Sequence, residues 1–139
     1  MQDFIVSETT KIFGNAIKRF AKDDGLDKKD VSVLLNLVED TEDGERKVGY
    51  KICHNHTPVK DVNIMQILGR LIDLKGYSIL VPPQIKKIIE GFEEELGVGD
   101  VEVCVYLDRG DDDEVLYFLY KSGELVRKFK LEDVIKIEI

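Results

Sequence analysis

The densest group of side chains able to hold a metal or move a proton is Cys53-His54-Asn55-His56. Imidazole and thiolate are ligand types that zinc takes. On a strand, His54 and His56 would share one face while Cys53 points away. A zinc site needs three or four such ligands converging at about 2.0–2.3 Å. The chain has neither CxxC nor HExxH, and its other cysteine, Cys104, lies in a separate strand pattern. The expectation is therefore a polar hairpin turn after a half-buried cysteine. His54 and His56 stand as the metal candidates.

Carboxylates offer a second chemistry. They crowd into Glu39-Asp40-Thr41-Glu42-Asp43-Gly44-Glu45 and Asp108-Arg109-Gly110-Asp111-Asp112-Asp113-Glu114. Neither stretch has the alternating ligands and closing glutamate of an EF-hand loop. Both read as hairpin tips. Glu42, Asp43 and Glu45 in one, with Asp108, Asp111, Asp112 and Asp113 in the other, are candidate contacts to a partner. GxSxG, the P-loop and the dinucleotide fingerprint are missing from the sequence, so no cofactor and no catalytic set are expected.

Composition narrows the classes further. A chain of 139 residues reads as one domain, 1–139, large enough to bury a core without staples. The net charge of −8, from 28 acidic and 20 basic residues, disfavours direct nucleic-acid binding, which needs phosphate neutralised by Lys and Arg. It equally disfavours anionic membranes and permits a basic protein partner, with solubility as the plainer account. No apolar run approaches the ~20 residues of a membrane span. The opening Met-Gln-Asp-Phe-Ile-Val lacks the basic-then-apolar order of a signal peptide. Two cysteines make no disulfide framework, so a reducing, cytoplasmic setting is expected.

The elements that must position these groups follow from periodicity. Residues 3–23 place Ile5, Thr9, Ile12, Phe13, Ala16, Ile17 and Phe20 at helical steps, with Gly14 inside and Gly25 as the stop. Residues 31–40 suit either a helix or a strand. The Glu42-Asp43-Gly44-Glu45 turn signal and the alternating run after it favour strand. A third short strand over 57–62 completes a meander. Residues 63–75 carry apolar side chains around most of a helix, which predicts a central buried helix ending at Gly76. Residues 77–81 read as a brief extended piece, with Pro82-Pro83 stopping any earlier element. Ile85, Ile88, Ile89, Phe92 and Leu96 then form a one-sided helical stripe closed by Gly97. A second meander follows, with strands at 101–107, 114–121 and 125–131. In its middle strand Leu116, Phe118 and Tyr120 alternate with Tyr117 and Leu119. Apolar character on both faces predicts a central strand. Residues 134–139 read as an edge strand or a final turn.

The two meanders match in spacing. Val31 and Val33 fall on Val101 and Val103, Leu37 on Leu107, Tyr50 on Tyr117, Ile52 on Leu119 and Ile64 on Leu131. Candidate repeat units are 3–68 and 84–135. The expected fold is α+β: an antiparallel sheet of two β-meanders packed with three helices. The expected function is that of a small acidic protein binding another, basic, protein, in the manner of an inhibitor or immunity-type protein. A metal-dependent enzyme, a small-ligand binder and a homo-oligomer stand as alternatives.

Overall fold

Alternating apolar residues build six strands, and two one-sided helices cover one face of the sheet they form. A computed structural model describes residues 2–69, 77–110 and 114–134. In chain order the elements are α1 (Gln2–Asp24), β1 (Val31–Glu39), β2 (Arg46–His54), β3 (Thr57–Val62) and α2 (Ile64–Leu68). Then come α3 (Tyr77–Leu96), β4 (Val101–Leu107), β5 (Val115–Lys121), β6 (Glu124–Phe129) and α4 (Leu131–Val134). The fold is α+β, with every strand pairing antiparallel and the sheet order β3-β2-β1-β4-β5-β6. None of the described helices is long and apolar enough to cross a membrane.

Three expectations change. The helix foreseen over 63–75 is short. Asn63 caps it by accepting from the Gln66 amide, and Gly69 ends it at φ 72. Arg19 of α1 donates to the exposed Gln66 and Ile67 carbonyls at 2.5 and 3.0 Å. Apolar spacing had outweighed the glycine stop. Met65 is 59% exposed, so α2 is not a helix buried on all sides. Residues 70–76, including Leu71, lie outside the described residues.

The extended piece at 77–81 is instead the start of α3, and Pro82-Pro83 fall at its sixth and seventh positions. Proline there forgoes two carbonyl partners near the helix start, but its fixed φ is already helical. The buried stripe of Ile85, Ile88, Ile89 and Phe92 downstream anchors the rest. Third, the described residues hold four α-helices rather than three, because Leu131–Val134, at the expected end of the last strand, forms the short helix α4. Residues 135–139 lie outside the described residues.

The core lies between the sheet and α1 and α3. Phe13, Ile17 and Ile89 pack with Val31, Val33, Ile52, Val105 and Leu119 in one buried cluster. Each helix packs on strands of both halves and so reaches across onto the other one. In α1, Thr10 shares a 3.2 Å hydrogen bond with Tyr117 of β5, and Gly14 faces Val115 and Leu107. In α3, Glu93 pairs with Arg46 of β2 at 2.5 Å.

The two meanders share one register. Val33 opposes Ile52 in the first, and Val103 opposes Leu119 in the second. Tyr50 opposes Val62, and Tyr117 opposes Phe129. The ladder slips between Ile52 and Cys53 in one and between Leu119 and Tyr120 in the other. At the centre, Val33 opposes Val105, Leu34 opposes Cys104, and Leu35 opposes Val103. Within the ladders that both meanders form, positions in one thus have geometric counterparts in the other.

Candidate binding cleft and open sheet face

The two histidines do not converge. His54 ends β2 opposite Val31 and Thr57, so strand alternation puts it on the helix-covered side. His56 occupies the turn and reaches the other side, where its Nδ1 lies 2.6 Å from the Tyr106 hydroxyl. The expected shared face fails because the strand stops at His54, and Asn55 and His56 take φ values of 50 and 69°. Among the described residues no three His, Cys, Asp or Glu side chains gather as a metal site.

The acidic tips stand apart. Because β1 and β4 run antiparallel, their following turns lie at opposite ends of the sheet. A nine-residue strand spans about 30 Å. In the first tip, Asp40 accepts from the Glu42 amide at 2.8 Å, and Asp43 accepts from the Glu45 amide at 2.9 Å. Lys47 reaches Asp40 and Asp43 at 2.8 and 3.2 Å. Its hydrogen bond holds the Asp40 carboxyl below its ordinary value. Asp43 therefore shapes the turn, while the Glu42 and Glu45 side chains are exposed. In the second tip, Asp108 accepts from the Gly110 amide at 2.8 Å, and its carbonyl accepts from Lys29 at 2.7 Å. Asp111, Asp112 and Asp113 lie outside the described residues.

The face of the sheet away from the helices has no covering layer among the described residues. Leu34, Cys53 and Cys104 form a small buried cluster there, flanked by Tyr106 and Tyr120. Tyr106 and Phe118 meet edge to face, 5.6 Å between ring centroids. Leu125 opposes Tyr120 on the same side and is 57% exposed. As its two apolar faces predict, β5 is an interior strand, paired with β4 and β6, and its second apolar face lies on the side left open among the described residues.

A cleft of about 310 Å³ opens at one end of this face. Tyr106, Phe118 and Tyr120 line it from β4 and β5, with Lys29, Asp30, His56 and Arg109 around them. Its geometric counterpart at the opposite end is a cleft of about 460 Å³, whose lining includes Asn36, Gly99, Asp100, Ser122 and Gly123. The contents of equivalent positions differ sharply. Tyr106 opposes Leu116 in β4–β5, where Asn36 opposes Gly49 in β1–β2. Phe118 stands where the first meander has Lys51, and Tyr120 where it has Cys53. A Cβ at Gly49 would come within 2.8 Å of the Asn36 side-chain oxygen, so a larger residue there needs Asn36 to move.

The turns beside the clefts differ in the same direction. Both are two-residue connections with positive φ at each residue, and in both the first amide donates to an aspartate carbonyl at 2.9 Å. One reads Ser122-Gly123, the other Asn55-His56. Glycine adopts this conformation freely, whereas a side chain there costs roughly 1–2 kcal/mol. His56 accepts that strain and places an imidazole at the cleft wall.

Charge separates the clefts too. The aromatic one is lined by Lys29 and Arg109 against Asp30. The polar one is lined by Arg46 against Glu93, Asp100 and Glu102. Glu93 is 6% exposed, and its hydrogen bond to Arg46 keeps its carboxyl below the usual range.

Nucleophilic chemistry has little footing on the open face. Burial pushes the Cys104 thiol up to about 12 and raises that of Cys53. Burial also pushes the Tyr106 hydroxyl up to about 12, so it stays protonated near neutrality. Neither a protein-family model, nor a curated protein, nor a solved structure matches the chain.

Proposed function

We propose that this chain works by binding another protein, and that the uncovered face of the sheet is where it does so. The observation that carries this reading is the contrast between equivalent positions. Asn36, Gly49 and Lys51 show that the fold does not need large apolar groups at these places. Tyr106, Leu116 and Phe118 are present nonetheless, on a surface with no layer over it among the described residues. Exposed apolar surface costs solubility and is retained where a partner covers it. Tyrosine and phenylalanine are also enriched at the centres of protein interfaces.

The partner fitted by this surface has an apolar centre, and the net charge of the whole chain favours a protein that is basic elsewhere. That net charge is −8, and opposite net charge speeds encounter. The acidic tips, including Glu42 and Glu45, then contribute to approach rather than to the buried centre.

The test is retention from the native host on the immobilised chain, compared across variants. A partner on the open face should be retained by the parent and lost by Phe118→Ser and by Leu125→Ser. Glu42→Gln with Glu45→Gln should slow association at low salt and leave it nearly unchanged at high salt. Retention that survives both Phe118→Ser and Leu125→Ser would place the interface elsewhere. A concentration-dependent dimer dissolved by Phe118→Ser would make the partner a second copy of this chain.

A further inference from the structure

We propose that the cleft beside His56 binds a small planar carboxylate, its flat body against Tyr106, Phe118 and Tyr120 and its carboxylate meeting His56 and Arg109. The cleft shares Tyr106 and Phe118 with the protein-binding face proposed above, but its occupant and its test are different, so either can fail without the other.

Strain is the first support. The equivalent turn closes with Gly123, which takes φ 81° at no steric cost. His56 holds φ 69° with a side chain, and that side chain lines the cleft. A strained residue kept where glycine would serve points to a use for its side chain.

The second support is the character of the lining. The Tyr106 hydroxyl is protonated and lies 2.6 Å from His56 Nδ1. When it donates there, the imidazole carries its own proton on Nε2 and offers it outward. Arg109 adds a guanidinium that is 76% exposed and 3.7 Å from Asp30, too far for a tight pair. In that tautomer the polar atoms that these two residues offer an occupant are donors. Donors call for an acceptor, and a carboxylate takes two from a guanidinium.

Size and shape are the third. A cleft of about 310 Å³ is at the small end of ligand sites, and its aromatic floor suits a ring. The polar cleft at the other end has the same place in the register. It has neither the aromatic floor nor the excess of cations.

Benzoate and benzamidine test the proposal, because they share a ring and differ in the sign of the attached group. The isotopically labelled full chain is titrated with each at constant ionic strength and followed by NMR. Benzoate should give saturable shifts at His56, Tyr106 and Phe118, in the millimolar range expected for so small a ligand. Benzamidine should not. His56→Gly relieves the turn, so it should melt no lower than the parent while binding benzoate at least tenfold more weakly. Arg109→Gln should also weaken binding, and Lys51→Ala, at the position equivalent to Phe118, should leave it unchanged. Benzoate shifts that never saturate would overturn the proposal. So would benzamidine binding as tightly as benzoate, or a His56→Gly chain that titrates like the parent.

Discussion

Leu34 and Cys104 stand directly opposite one another where β1 meets β4, and the pairings on either side of them mirror each other. Val33 opposes Val105 on one side, and Leu35 opposes Val103 on the other. This pair is the point about which the two meanders are equivalent. The relation gives each residue an internal control. A side chain that differs from its counterpart while the backbone does not is one the backbone did not require.

Phe92 should be among the most costly core residues to truncate. It is 6% exposed and meets Phe129 edge to face, 5.1 Å between centroids. Phe92→Ala should lower stability by about 3–5 kcal/mol in urea unfolding. Superposable unfolding curves for parent and variant would mean the side chain is not packed in the core.

Acid should weaken the fold in part through Glu93. Its hydrogen bond to Arg46 depresses its pKa in the folded state below the ordinary 4.5. A depressed carboxyl adds stability that is present in full above its unfolded value and lost as pH falls through the folded one. The melting temperature of the parent should therefore fall more steeply below pH 4.5 than that of Glu93→Gln. Parallel profiles for the two proteins would remove this pair from the acid response.

Much of this was legible in the sequence, and the losses have definite causes. Alternation placed β2, β4 and β5, the turn signal after it decided β1, and β3 and β6 followed as the returning strands of their hairpins. Ile88, Ile89 and Phe92 were expected to be buried and are. The start of α3 is not legible because Pro82-Pro83 read as a stop, and the buried stripe downstream that holds a helix through them acts through tertiary packing. The length of α2 is not legible because the apolar spacing runs on past Gly69. The cleft was harder to foresee. Tyr106 lies 50 residues from His56 in sequence, and only the sheet order brings their strands together. The available signal was β5, apolar on both faces, together with a histidine where its counterpart turn has glycine.

Gly14 should tolerate alanine with a gain. It lies inside α1, where glycine costs about 0.5–1 kcal/mol relative to alanine. An added Cβ would meet Val115 Cγ1 at 3.4 Å, an ordinary contact. Gly14→Ala should raise the melting temperature by a few degrees. A fall would show that α1 and β5 cannot admit even one methyl group.

The two thiols should be slow to react while the chain is folded. Cys53 and Cys104 are 1% and 8% exposed, and burial pushes the Cys104 thiol up to about 12. At pH 8 only about one Cys104 in ten thousand would be thiolate, the reactive form. They also lie on β2 and β4 with β1 between, at least about 9–10 Å apart by sheet spacing, beyond disulfide reach. Labelling with an aromatic disulfide should therefore await unfolding. Rapid stoichiometric labelling of the native protein would contradict this arrangement.

The crossing of each helix onto the other half sets the order in which the chain can become whole. Translation delivers α1 first, yet Thr10 and Tyr117, which it joins, are 107 residues apart. Until β5 has left the ribosome, α1 has only part of its seat, and the apolar stripe of Phe13 and Ile17 is incompletely covered. Contacts this distant in sequence raise contact order and slow folding. The first helix to be made is thus among the last to be fully seated, and a chain halted before residue 115 has no β5 to receive it.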